Sequence, residues 1–194
     1  MANLAAKLGR LSQAFDSKGH KAPDSLLPGL AGDALDAQLG WFPSTLPQEL
    51  RELYAWRAGQ ASDPWDAEFP FWFRDRGFSS IEIAKDEYSS MMESYGVEND
   101  PTRDLVNLSD CFPFAAFNGA WYVVPCKGHG FDISVPYPVI SVFQDISPHF
   151  DSINAMLDTC IAWVEHPDWK SDSGLDREQE RRIWSRFNAV ASTC

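Results

Sequence analysis

The chain has 194 residues, with 16 basic and 28 acidic side chains and a formal net charge of −12. That length fits one domain able to bury most of its apolar surface without a metal or disulfide staple. A net-acidic surface repels phosphates, which argues against nonspecific nucleic-acid binding and docking on anionic membranes. No stretch approaches the roughly 18 to 20 apolar residues of a membrane span. Hydrophobic residues make up 44% and charged residues 23%, a globular rather than disordered balance, and 8 Trp, 13 Phe and 5 Tyr supply material for a rigid core. Lys7 and Arg10 interrupt what would be the apolar stretch of a secretory signal. Cys111, Cys126, Cys160 and Cys194 follow no framework spacing. A cytosolic protein with reduced thiols is expected.

Leu4, Leu8, Leu11 and Phe15 recur at helical spacing and predict an opening amphipathic helix. Leu30, Leu35 and Leu39 predict a short helix closed by Gly40. Pro47 then opens another, carrying Leu50, Leu53, Tyr54 and Trp56 to Gly59. Residues 61–78 are rich in Pro, Trp and Phe and read as an irregular connection. Ser79 and Glu82 have capping-box spacing ahead of a helix through Ile81, Ala84, Tyr88, Met91 and Tyr95, ending near Gly96.

Asn118-Gly119 is the pair that best suits a type I′ hairpin turn. It joins strands 112–117 and 120–124, with Ala116 opposite Trp121 and Phe114 opposite Val123 to give one apolar face. Val139 to Phe143 reads as a central strand. Ser147-Pro148 reads as the start of a helix with Phe150, Ile153, Leu157, Ile161 and Val164 on one side, stopped by Pro167. Leu175, Ile183, Phe187 and Val190 predict a last helix. The fold class is therefore α+β: a mainly antiparallel central sheet flanked by helices, with N- and C-terminal helical extensions. The amphipathic ends, 3–15 and 175–190, either pack on the core or pair with a second copy.

No catalytic pattern emerges. The chain lacks a phosphate-binding glycine loop, a dinucleotide fingerprint, a nucleophile elbow and a paired-histidine zinc helix. Cys126 and His129 have metal-like spacing but no second pair to complete a site. Neither a catalytic residue nor a cofactor or metal site is assigned.

The charge itself is the most specific signal. Residues 1–60 hold 6 acidic and 6 basic side chains, residues 61–110 hold 12 and 4, and residues 111–194 hold 10 and 6. Two-thirds of the net charge thus sits in a quarter of the chain. Such a stretch is either a solvated face or a surface aimed at a basic partner. The candidate partner-binding residues are Asp63, Asp66 and Glu68, then Glu93, Glu98, Asp100 and Asp104, with Trp65 and Trp72 as aromatic anchors. The alternative for the aromatic run is a core rim.

Leu27-Pro28-Gly29-Leu30, then Leu46-Pro47-Gln48-Glu49-Leu50-Arg51-Glu52-Leu53-Tyr54-Ala55-Trp56 and Gly59-Gln60, resemble the N-terminal signature of the SUKH superfamily, which includes a yeast cell-wall-synthesis regulator family. Phe78-Ser79-Ser80-Ile81-Glu82, Phe112-Pro113-Phe114, Pro138-Val139-Ile140 and a closing helix at 148–164 follow in a similar order. The resemblance covers a core at residues 25–165 of a single SUKH-like domain spanning 1–194, with an N-terminal helix (3–15) and a C-terminal helical extension (168–194) beyond that core. It implies a non-enzymatic protein. Most bacterial members look like immunity proteins that neutralise a cognate toxin domain, such as a basic nuclease, and others are adaptors or regulatory scaffolds. The expectation is an immunity protein acting by occlusion, with a family scaffold binding a host protein as the alternative.

Overall fold

The computed structural model describes residues 4–20, 22–61, 72–95, 107–126, 137–170 and 174–189. Helix α1 (Leu4–Ser17) buries Leu4, Leu8, Leu11, Ala14 and Phe15 along one stripe, as its periodicity predicts. Strand β1 (Leu26–Pro28) is followed by α2 (Asp33–Gln38) and α3 (Gln48–Trp56). Pro47 is the N-cap of α3 rather than its first helical residue, and Leu30 lies before α2, its N–H donating to the carbonyl of Tyr54 (2.8 Å). Helix α3 stops at Trp56 instead of running towards Gly59. The chain turns extended there and forms β2 (Arg57–Gln60), which pairs antiparallel with β1.

Five strands make the main sheet in the order β3 (Gly77–Phe78), β4 (Cys111–Phe117), β5 (Ala120–Pro125), β6 (Val139–Phe143) and β7 (Asp145–Phe150), every pair antiparallel. Asn118 (φ 51°) and Gly119 (φ 71°) both take positive φ at the β4–β5 turn, the requirement of a type I′ hairpin. Ala116 pairs with Trp121 as expected. Phe114 does not pair with Val123, because the register shifts between Pro113 and Ala115 and Val123 faces Pro113. The bulge places Phe114 and Ala115 in the same core cluster as Phe112.

The hairpin is apolar on both faces, not one. Phe112, Phe114, Ala115, Tyr122 and Val124 join the larger core with α1, α3 and α5. Cys111, Ala116, Trp121 and Val123 join a second cluster with Ile140, Val142 and Met91 of α4 (Ile81–Tyr95). The sheet is therefore sandwiched, and β6 is the central strand that its two-sided apolar pattern predicts.

Two further helix starts differ from expectation. Ser80, not Ser79, caps α4: its hydroxyl accepts from the N–H of Ile83 (3.3 Å). Ser147-Pro148 begins no helix but lies in β7, where Pro148 needs no ladder N–H because β7 is an edge strand. Helix α5 (Ile153–Val164) starts five residues later, capped by the Ser152 hydroxyl accepting from the N–H of Ala155 (3.0 Å). The last helix, α6 (Arg177–Trp184), is shorter than the periodicity suggests and is capped by Asp176. Leu175 and Phe187 flank it, and Val190 lies outside the described residues.

Both ends pack on the core. Helix α1 lies against α5, with Lys7 paired to Asp158 (2.7 Å) and Arg10 Nε to Glu165 (2.7 Å). Ile183 of α6 belongs to the same cluster as Leu8. Gln60 couples the two sheets: its carbonyl accepts from the N–H of Phe78 (2.7 Å) and its amide donates to the Ser25 hydroxyl (3.0 Å). Among the described residues no helix is long and apolar enough to cross a membrane.

Candidate partner-binding face

Helix α4 is amphipathic in a way that separates structure from surface. Ile81, Ala84 and Met91 are buried, and Tyr88 Oη donates to the carbonyl of Ser109 (2.9 Å). Glu87 is tied inward, accepting from the indole N–H of Trp121. The opposite side exposes Glu82, Lys85, Asp86, Ser89, Ser90, Glu93 and Ser94. Glu82, Asp86 and Glu93 fall on one stripe at i, i+4 and i+11. Glu82 lies in the first turn, where the backbone dipole favours an anion, but Asp86 beside it at i+4 adds a like-charge cost of a few tenths of a kcal/mol (~0.2–0.5).

Of the sequence-predicted partner residues, Glu93 is exposed on this stripe. Asp63, Trp65, Asp66, Glu68, Glu98, Asp100 and Asp104 lie outside the described residues. Trp72 is a correction. It has 0% exposure, with its ring 5.3 Å from Phe15 and 5.6 Å from Trp56, both edge-on. A large apolar ring beside two others gains more by burial than by display, so Trp72 fastens the 72–76 turn to α1 and α3 and is no surface anchor.

Sequence reasoning missed Glu82 and Asp86 as members of the stripe, although both stand at helical spacing from Glu93. It also missed the convergence of Arg74, His149, Arg177 and Arg181 around α6.

Nucleophilic chemistry finds little support in the described thiols. Burial raises the pKa values of Cys111 and Cys126 well above the ordinary thiol range and that of Cys160 to about 12. At neutral pH these cysteines are packed, protonated side chains. Tyr54 and Tyr122 are likewise held protonated by burial. No group of three His, Cys, Asp or Glu side chains among the described residues could hold a metal ion.

The segments carrying the SUKH resemblance occupy structural positions. Pro47–Trp56 forms the start and body of α3, Phe112 and Phe114 lie in the core strand β4, and Val139-Ile140 opens β6. The sequence matches no family model and no curated protein.

Proposed function

We propose that this protein is a cytosolic, non-enzymatic immunity protein of the SUKH type that neutralises a cognate toxin domain by occlusion. The observation that carries the reading is the outward stripe of α4, where Glu82, Asp86 and Glu93 stand clear of the core within the most acidic quarter of the chain. A basic toxin, such as a nuclease, would meet carboxylates in place of the phosphates of its substrate. The stripe sits on a helix fixed by Met91 and Tyr88 to the back of the sheet, so binding would require little ordering of the helix itself. Asp63, Asp66, Glu68, Glu98, Asp100 and Asp104 extend the acidic sequence on either side of α4 and, with Trp65, lie outside the described residues.

The test is affinity purification of the tagged chain from its own cells, supplied with the purified C-terminal domain of any large secreted protein encoded beside its gene. Stoichiometric, salt-sensitive capture of that domain, with loss of its toxicity on co-expression, is the expected result. Failure to bind it, together with recovery of a housekeeping or signalling protein, would overturn immunity in favour of the family scaffold.

A further inference from the structure

A cleft of about 260 Å³ opens between α6, α5, β7 and the 72–76 turn. Helix α6 contributes Arg177, Glu180, Arg181 and Trp184, at i, i+3, i+4 and i+7 and so on one face. Trp163 of α5, His149 of β7 and Arg74 complete the walls.

The aromatic walls are fixed. Trp163 donates its indole N–H to the carbonyl of Glu180 (3.2 Å), and Trp184 donates to the carbonyl of His149 (2.9 Å). With both polar edges used, the two indoles offer the cleft ring carbon. Arg74 donates to the Glu180 carboxylate (2.8 Å) and lies 5.8 Å over the Trp163 ring, so the one acid of the cleft is already neutralised. His149 stacks on Tyr122 (5.4 Å, 22°), and its buried Nε2 has no hydrogen-bond partner among the described residues. Burial and the neighbouring Arg74 hold that imidazole neutral.

Two cations remain. Arg177 and Arg181 are exposed and have no ion-pair partner among the described residues. Their placement opposes helix stability twice. They are like charges one turn apart, and Arg177 stands at the first helical position, where the backbone dipole favours an anion. In a chain with 28 acids and 16 bases, a cleft whose unpaired charges are both positive runs against the composition. An anion between the guanidiniums would relieve both penalties.

We propose that this cleft binds a small organic anion, a planar ring held against Trp163 and Trp184 with its carboxylate or phosphate between Arg177 and Arg181. The volume sets the size. Drug-sized ligands occupy roughly 300–1,000 Å³, so a single ring bearing one acidic group fits and a dinucleotide does not. Guanidiniums grip either oxyanion through paired N–H donors. The site lies on α6 and makes no use of the α4 stripe, so it stands or falls independently of toxin binding.

Phenyl phosphate, benzoate, inorganic phosphate and benzyl alcohol serve as probes, followed by the indole N–H signals of the ¹⁵N-labelled protein and by calorimetry. Phenyl phosphate or benzoate should saturate and move the Trp163 and Trp184 signals, with inorganic phosphate weaker and benzyl alcohol silent. The R177A/R181A variant, altered only at exposed positions, should bind at least about tenfold more weakly. No saturable shift with either aromatic anion up to about 10 mM would overturn the proposal. So would unchanged binding by R177A/R181A, or inorganic phosphate binding as tightly as phenyl phosphate. Preference for phenyl phosphate over benzoate would assign a phosphate monoester, and the reverse a carboxylate.

Discussion

The amide of Asn188 donates to the hydroxyl of Thr159 at 3.1 Å, and both side chains are almost completely buried. The same amide donates to the carbonyl of Trp184 (3.0 Å), while the Asn188 carbonyl accepts from the N–H of Asp151 (3.1 Å). The Thr159 hydroxyl in turn donates to the carbonyl of Ala155 (2.7 Å). One side chain beyond α6 thus joins the C-terminal segment to α5 and to the turn that leads into it. The extension is part of the packed domain rather than an appendage.

Asn188→Ala removes the acceptor of the half-buried Asp151 N–H and one of the two bonds of the buried Thr159 hydroxyl, which keeps its bond to Ala155. A polar group left without its partner costs about 1–3 kcal/mol, and a loss in that range is expected. Urea denaturation checks it. A double cycle with Thr159→Val should show coupling, because the two side chains share a direct hydrogen bond.

Glycine positions separate backbone strain from steric exclusion. Gly59 has φ 85°, and an added Cβ would lie 2.4 Å from the nitrogen of Ser80 and 2.5 Å from the carbonyl of Ser79. Gly119 has φ 71° but nothing within 4 Å of such an atom. Gly119→Ala should therefore cost only the conformational strain, about 1 kcal/mol. Gly59→Ala must also push β2 off the start of α4, and a loss of about 2–4 kcal/mol is expected. Equal thermal shifts for the two variants would contradict this account of the β2–α4 approach.

The elements legible in the sequence were those whose signal is local. Asn118-Gly119 specifies its turn because both residues tolerate positive φ, and the leucines of α1 specify a helix through spacing alone. Strand β2 was hidden because its pairing partner, β1, lies some thirty residues earlier and its length is only four residues. Ser147-Pro148 misled because the same dipeptide suits a helix start and an edge strand, and only the sheet order decides between them. Trp72 was ambiguous for a related reason: aromatic anchors and core aromatics have the same composition. The α6 cleft draws Arg74 and His149 from positions 75 residues apart, so no spacing rule brings them together.

Acid should unfold the protein through His149. Burial first, then Arg74 and Arg76 against the opposing Asp75 and Asp145, lower its pKa from 6.5 to about 4. Between those values the unfolded chain binds a proton that the folded chain refuses. Stability present above pH 6.5 is therefore lost as pH falls towards 4, by roughly 3 kcal/mol from this group. Burial lowers His20 in the same direction. Burial also raises the Glu49 carboxyl, whose contribution has the opposite sign: it is present below the usual carboxylate range and lost as pH rises through the folded value. Urea midpoints between neutrality and about pH 4.5 should fall for the natural sequence and fall markedly less for His149→Gln. A variant with an unaltered slope would place the acid sensitivity elsewhere.

Charge reversal tests the α4 stripe without touching the core. Glu82, Asp86 and Glu93 are exposed, and none makes a side-chain hydrogen bond or ion pair among the described residues. The E82K/D86K/E93K variant should fold with a midpoint close to that of the natural sequence, since surface substitutions usually stay within about 0.5 kcal/mol. Against the captured toxin domain, its association rate at low salt should drop by about tenfold or more. The salt dependence should flatten as well, because the long-range attraction that salt screens would be gone. Stopped-flow association at two ionic strengths reads both effects at once. A folded variant with the original rate and salt slope would remove α4 from the interface, leaving the acidic sequence on either side of it as the remaining surface to probe.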